Sequence, residues 1–378
     1  MNPFRLLSGL EPGDYSSRRV AVAMSGGVDS SLAAILLREA GFDVVGLTMH
    51  LWDYDHSGVH GNDRGCCDLS TMEDARKVAF DANIPHYTVN LRTEFERLVV
   101  DDFIREYLSG RTPNPCVSCN TFIKWHILLN KARSLGCDLI ATGHYARIGQ
   151  HDDSTYSLFT GSDNTKDQSY FLWGLDTEKL AVTLFPLGSM TKAETRREAR
   201  KRNLKTAHRR ESQEICFIPD NDYGKFLRRR FHDNPPLPLT DGNILDTAGS
   251  TVGCHRGAAY YTIGQRRGLG IALGRPVFVT AVNTKTNTIT IGEEKDLLSK
   301  FMSVKKITWT RGFPPSDVFR CVTRIRYRHP GAQSEVTVTP KSADIVFDMP
   351  QRAITPGQSA VFYNGDMVLG GGIIDRAW

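Results

Sequence analysis

Residues 18–31, RRVAVAMSGGVDSS, constrain the fold more than any other segment. Val20–Met24 is a short apolar run that reads as a strand buried on both faces. It meets Ser25-Gly26-Gly27, and Ser31–Ala40 follows with Leu32, Ile35, Leu36 and Ala40 at helical spacing. Gly41 is placed to terminate that helix. A buried strand entering a helix through paired glycines opens an α/β unit. Backbone amides and the helix N-terminus there converge on an anion. The segment has neither the G-x-x-x-x-G-K-[ST] of a Walker loop nor G-x-G-x-x-G. Asp29 and Ser30 are placed to meet phosphates or an associated Mg²⁺.

The chain continues in the same style. Phe42–Leu51, His86–Leu91 and Leu139–His144 read as further strands, and Ser70-x-x-Glu73 and Thr93-x-x-Glu96 as capping boxes opening helices. Alternating elements with apolar strands imply a parallel sheet covered by helices on both faces. After about residue 218 the pattern changes. Pro235, Pro236, Pro238 and Asp241-Gly242 mark a breaker-rich junction. Strand runs follow at Pro276–Val282 and Thr288–Gly292, then at Val304–Trp309, Val318–Tyr327, Glu335–Val338, Ala360–Tyr363 and Met367–Ile374. Their spacing favours a small antiparallel barrel. The expected division is an extension at 1–17, an α/β domain at 18–218, a β-rich domain at 219–298 and a barrel at 299–378.

Hydrophobic residues at 40% and charged ones at 24% of 378 residues exclude wholesale disorder. No apolar stretch reaches the roughly 20 residues of a membrane span. The opening MNPFRLLSGLEPGDYSSRR lacks the charge and apolar core of a secretion signal, so a soluble, cytoplasmic protein without a membrane partner is expected. Net charge is only +5, but residues 191–233 hold 13 Lys/Arg against 7 Asp/Glu. Such a concentration suits a polyanion as readily as a solvated helix face.

Eight cysteines are too few for a disulfide scaffold, but they cluster: Cys66-Cys67, then Cys116-x-x-Cys119, then Cys216. Cys137, Cys254 and Cys321 read as ordinary buried thiols. Pro113 and Pro115 stiffen the loop RTPNPCVSCN. Cys119 then precedes the helical pattern Phe122–Leu135, whose N-terminus would stabilise a thiolate. Two thiols on separate loops of a chain with a phosphate-binding loop suggest sulfur transfer. Structural zinc on Cys66, Cys67, Cys116 and Cys119, or a redox disulfide, are the competing uses.

SGGVDS, TPNP-x-x-x-CN, ATGHYAR, KDQSYFL (Lys166–Leu172), ICFIPD, YTIGQRRGLG (Tyr261–Gly270) and RIRYR (Arg324–Arg328) occur in this order. Together they resemble the tRNA-specific 2-thiouridylase family, within the PP-loop ATP pyrophosphatases, from about residue 18 to the C-terminus. The resemblance implies a PP-loop α/β domain, a small β-rich central domain and a C-terminal β-barrel. It implies an enzyme that adenylates C2–O of a tRNA wobble uridine with ATP and Mg²⁺, then replaces that oxygen with sulfur. It assigns Cys119 as nucleophile and Cys216 as persulfide carrier, loaded by a sulfur-relay protein or cysteine desulfurase. ATP would contact Ala23, Met24, Ser25, Gly26, Gly27, Val28, Asp29, Ser30, Met49 and Gly143. The tRNA would contact Asn114, Pro115 and Cys116 at the flipped base, and His144, Lys166, Asp167, Gln168, Arg326, Tyr327 and Gln358 around it. Cys116 stands where Asp is commonest in the family. That leaves open a [4Fe–4S] cluster on Cys116, Cys119 and Cys216 as the sulfur source. A PP-loop amidating synthetase and a non-enzymatic RNA-binding protein are the rival classes.

Overall fold

A computed structural model describes residues 4–8, 10–11, 13–53, 69–209, 215–218 and 220–378. The first elements are β1 (Phe4–Leu7), β2 (Arg19–Ala23), α1 (Val28–Glu39), β3 (Asp43–His50), α2 (Leu69–Asp81) and β4 (His86–Asn90). Residues 92–108 form one helix, α3, whose middle Glu96–Val100 winds in the wider π form. Residues 115–134 form α4, π-wound over Cys119–Leu128. Strands β5 (Leu139–Ala141), β6 (Ala146–His151), β7 (Tyr156–Thr160) and β8 (Thr183–Leu184) and helix α5 (Lys192–Lys201) follow, then α6 (Tyr223–Arg230).

The expected parallel sheet is present, in the order β4-β3-β2-β5-β8. Val20, Ala21, Val22, Val45, Leu47 and Ile140 are fully buried within it, which is why these strands are apolar throughout. The chain leaves β2 for β3 on one side and later returns to its other side as β5. The carboxyl end of β2 is therefore a topological switch point, where such sheets open a ligand crevice.

Local expectations need correcting. Helix α2 begins at Leu69 and α3 at Arg92, so Ser70 and Thr93 lie inside helices and cap neither. The capping box that does form is Thr191 with Glu194, each side chain bonding the other's backbone at the start of α5. The strand read as Leu139–His144 stops at Ala141, and Thr142–His144 is loop.

After α6 come β9 (Gly242–Leu245), β10 (Thr251–His255), β11 (Phe278–Asn283) and β12 (Thr288–Gly292), which form a second sheet ordered β10-β9-β12-β11. Six more strands close an antiparallel barrel: β13 (Leu298–Trp309), β14 (Val318–Arg324), β15 (Ala332–Val338), β16 (Ser342–Arg352), β17 (Ser359–Asn364) and β18 (Met367–Ala377). Val304, Val336, Ile345, Phe347, Phe362 and Ile374 fill it. Strand β16 has no counterpart among the expected runs, because Asp344, Asp348 and Pro350 interrupt its apolar alternation. Its pairing with β13 is bulged at Ser299/Phe301. The run read as Val318–Tyr327 ends at Arg324, and 325–328 turn away.

The β6–β7 hairpin joins barrel to sheet. Phe159 and Leu158 pair with Met367 and Val368 of β18, and β1 adds to the hairpin's far edge along β6. No helix among the described residues is long and apolar enough to cross a membrane.

Candidate active site

Ser25-Gly26-Gly27 sits at the switch point. Gly26 has φ +72°, and a Cβ there would lie 2.0 Å from the carbonyl oxygen of Thr71, so glycine is required. Gly27 caps α1 without a side chain. Ser30 Oγ accepts from Ser25 N at 3.1 Å, and Ser31 Oγ donates to Gly27 O at 2.8 Å, which fixes the turn from within. Arg209 donates to Gly26 O at 3.2 Å and pairs with Asp74, tying the loop to α2. Ala23, Met24 and Val28 are buried beneath the loop, and Met49 lies half-buried near the end of β3.

Asp29, in the first turn of α1, is held from two sides. Lys192 Nζ lies 2.7 Å from both carboxylate oxygens, and the Tyr145 hydroxyl, 2.9 Å from Oδ1, also reaches Thr195 Oγ1 at 2.9 Å. Its side chain keeps 30% exposure, so a hard oxygen donor suited to Mg²⁺ borders the loop. Lys192, Tyr145 and Arg209 were not singled out from sequence. A signal for Lys192 existed: a cation in the first turn of a helix opposes the macrodipole.

Gly143 stands in the loop after β5. A Cβ on it would fall 2.7 Å from the backbone of Asp29 and Ser30, so the glycine lets the loop after β5 close onto the phosphate loop.

The thiol helix is clamped by the barrel. Gln358 Nε2 donates to Thr112 O at 3.0 Å and Pro113 O at 3.2 Å, and Thr112 N donates to Pro356 O at 2.9 Å. Asn114 then caps α4, with Pro115 at its first position, where a missing N–H costs nothing. The helix thus starts four residues before Cys119. Exposed Cys116 occupies its first turn, and half-buried Cys119 lies one turn deeper. Asn120 Nδ2 donates to Phe171 O at 3.0 Å, anchoring the next residue.

Half-buried Cys216 sits in a short turn beside Phe217 and Ile218, which are buried against Phe95, Phe103 and Phe226. Cys119 and Cys216 pack against the same apolar core. Beside that turn a cleft of about 880 Å³ opens past the ends of β3 and β4, lined by Trp52, Arg92, Arg97, Phe217, Phe226 and Arg229. None of the described cysteines is in a disulfide, and Cys254, expected to be buried, is exposed. Cys66 and Cys67 lie outside the described residues, and the zinc set that needed them with them. Among the described residues no three His, Cys, Asp or Glu side chains are grouped to hold a metal, so Cys116, Cys119 and Cys216 do not form the ligand set a cluster would need.

The remaining expected contacts divide into two groups. Arg326 and Tyr327 are exposed in the turn after β14, with the Tyr327 ring centroid 4.5 Å from Phe171. Half-buried Lys166 bonds backbone-to-backbone with Asp163. Gln168 Oε1 accepts from Tyr145 N at 3.0 Å. His144 packs between Trp125 and Phe185, with Thr142 Oγ1 2.6 Å from Nδ1 and Lys124 Nζ 3.5 Å from Nε2. Burial, then the Lys124 charge, hold its pKa well below the usual range, so the ring is neutral. Asp167 is buried. Its Oδ1 accepts from Gly161 N and Ser169 N at 3.1 and 3.0 Å, and Oδ2 meets Ser169 Oγ and Arg324. Asp167 thus sits at a joint between the loop after β7 and β14, and Gln358 faces the 112–113 loop. The basic 191–233 segment is also partly neutralised: Arg202 pairs with Glu39 and Glu198, and Arg230 with Glu96.

Residues 18–220 match the family of the tRNA methyl transferase HUP domain, 233–293 the tRNA methyl transferase PRC-barrel domain, and 299–374 the aminomethyltransferase beta-barrel domain. The chain is 47% identical over 367 residues to the tRNA-specific 2-thiouridylase MnmA of Geobacter metallireducens, covering 96% of this chain and 98% of that protein. It is 47% identical over 363 residues to the protein of the same name from Geotalea uraniireducens, covering 95% and 96%. The solved U34-tRNA thiolase NcsA from Methanococcus maripaludis, with its [4Fe-4S] cluster, is far more distant: 19% identity and a TM-score of 0.36, covering 59% of this chain and 70% of that one. With such identity across nearly its whole length to both MnmA proteins, this chain belongs to the tRNA-specific 2-thiouridylase family.

Proposed function

We propose that the protein catalyses ATP-dependent 2-thiolation of the wobble uridine of tRNA. The observation that carries the reading is the placement of two sites on one α/β unit. The glycine loop lies at the sheet's switch point, and Cys119 and Cys216 pack on the same core. Neither rival class uses both.

The C2 oxygen of uridine is a poor leaving group. Its attack on the α-phosphate of ATP expels pyrophosphate and turns that oxygen into part of a phosphate ester. The loop amides after Gly26 and the N-terminus of α1 favour the phosphate charge. Mg²⁺, when bound at Asp29, supplies further charge neutralisation. Cys216 carries a persulfide received from a sulfur-relay protein or cysteine desulfurase. Sulfur then reaches C2 by one of two routes. In one, the terminal sulfur attacks and Cys119 resolves the link; in the other, Cys119 frees hydrosulfide, which attacks. AMP leaves in either case. The base must be extruded from its loop to be reached. Asn114, Pro115 and Cys116 are assigned to receive it, with exposed Arg326 and Tyr327 pairing a phosphate binder with a stacking ring. His144, Lys166, Gln168 and Gln358 support that surface.

Isotope exchange between pyrophosphate and ATP tests this reading. Exchange that requires tRNA supports adenylation of the RNA. Exchange that requires ammonia and a carboxylate substrate would favour an amidating synthetase, and no exchange under any condition a binding protein.

A further inference from the structure

The motif YTIGQRRGLG, residues 261–270, belongs neither to the phosphate loop nor to the thiol helix. It leads into β11 of the second sheet. Residues 256–275 hold four arginines, Arg256, Arg266, Arg267 and Arg275, and no acidic residue. The motif is built to present two of them. Gly264 N donates to Val279 O at 2.8 Å, and Val279 N to Gln265 O at 2.9 Å. Gln265 Oε1 accepts from Thr262 N at 3.1 Å, while its Nε2 donates to Arg267 O at 3.0 Å. Leu269 is buried in the core of this sheet with Val279 and Ile289. Arg266 and Arg267 stand exposed between these anchors. Neither has a carboxylate partner among the described residues, whereas Arg275 pairs with Glu293. Two adjacent cations on an ordered backbone, without counter-charge, suit a polyanion.

The surroundings of the motif say which polyanion. Thr112 Oγ1 donates to Thr262 Oγ1 at 3.4 Å, on the loop that leads to Asn114. A Cβ on Gly264 would lie 2.9 Å from Cβ of Ala353. The carbonyl of the preceding Arg352 accepts from Arg326 Nη1 at 3.2 Å. The motif therefore bridges the thiol loop and the barrel turn that carries Arg326 and Tyr327. Five residues reach at most about 18 Å, which bounds the separation of Arg267 from Thr262.

We propose that residues 265–268 are a third RNA-binding element, in which Arg266 and Arg267 grip backbone phosphates of the anticodon arm beside the extruded base. This rests on the tRNA reading of the protein, and it gives the second sheet a part in that reading. The guanidinium forks match phosphate oxygens, and the fixed backbone leaves only side chains to be ordered on binding. Contacts of this kind position the arm and carry no sequence information.

Fluorescence anisotropy of the full-length protein across a salt series tests this, with a substrate tRNA and with its isolated anticodon stem-loop. Arg266→Gln with Arg267→Gln is expected to reduce the slope of log K against log salt by about 1.5–2. Affinity should fall on the order of tenfold or more, equally for both RNAs. ATP affinity and melting temperature should not change. Arg275→Gln, which removes a cation already paired, should leave the slope nearly as it was. Arg266→Lys with Arg267→Lys keeps both charges and should keep the slope. Should the double Gln variant fail to fold, Arg267→Gln alone should reduce the slope by about 1. An unchanged slope, a loss confined to full-length tRNA, an equal loss in Arg275→Gln, or a slope lost in the Lys variant overturns the proposal. A wild-type protein that binds the stem-loop no better than an unrelated hairpin would instead overturn the tRNA reading itself.

Discussion

Arg324 Nη1 lies 3.3 Å from Asp167 Oδ2, an ion pair that fastens the loop after β7 to barrel strand β14. The Arg324 guanidinium also sits 4.6 Å from the centroid of Tyr363, whose hydroxyl is 3.3 Å from Ser169 Oγ. The motif residues 166–168 are thereby held against the barrel that carries Arg326 and Tyr327.

Removing buried Asp167 leaves Gly161 N, Ser169 N and half-buried Arg324 without their acceptor. Asp167→Ala is expected to destabilise the fold by about 3–5 kcal/mol. Urea unfolding checks this. A loss under about 0.5 kcal/mol, typical of surface sites, would show that Asp167 is no joint.

Gly357 has φ +93°, and a Cβ there would meet the Thr112 backbone at 2.8–3.0 Å. Gly357→Ala should push the 112–113 loop and the thiol helix behind it. Thiolation is expected to fall on the order of 100-fold, since a displacement near 1 Å at a reacting group costs that much. ATP affinity should be unaffected, because the phosphate loop lies on another element. Equal losses in both would mean that the clamp supports the whole fold.

His144 gives a pH signature. Its folded pKa is depressed by burial and by Lys124, so as pH falls through about 6.5 the unfolded chain takes the proton first. The stability this group allows is full above that pH and drains as pH drops toward the folded value, by up to about 1.4 kcal/mol per unit. Relative to His144→Asn, wild type should lose melting temperature between pH 6.5 and 5. Parallel curves would contradict a half-buried ring held neutral.

Much of this was legible in sequence because it is local. Strand β2, Gly26 and α1 announce themselves by an apolar run, a glycine pair and a helical period. What was missed depends on long-range pairing. Nothing in Tyr156–Thr160 says that it will pair with Met367 and Val368, and β16 hides its alternation behind Asp344 and Asp348. The burial of Asp167 is likewise set by Arg324, 157 residues away. Two local signals were legible and left unread: the Thr191-x-x-Glu194 capping box and Lys192, a cation in the first turn of the same helix.

Cys119→Ser and Cys216→Ser should each abolish thiolation while leaving ATP and tRNA binding intact, because a hydroxyl neither carries nor accepts a persulfide. The double variant should be no worse than either single one, as both thiols serve one transfer. Turnover by Cys216→Ser with a persulfide donor and no free sulfide would remove its carrier role.

The most direct measurement is stoichiometry on one tRNA: incubation with ATP, Mg²⁺ and a persulfide donor, with AMP, pyrophosphate and nucleoside mass all followed. The expected result is one AMP and one pyrophosphate per oxygen replaced by sulfur, with sulfur confined to C2 of the wobble uridine. Release of ADP and phosphate, or sulfur at any other nucleoside, would contradict it.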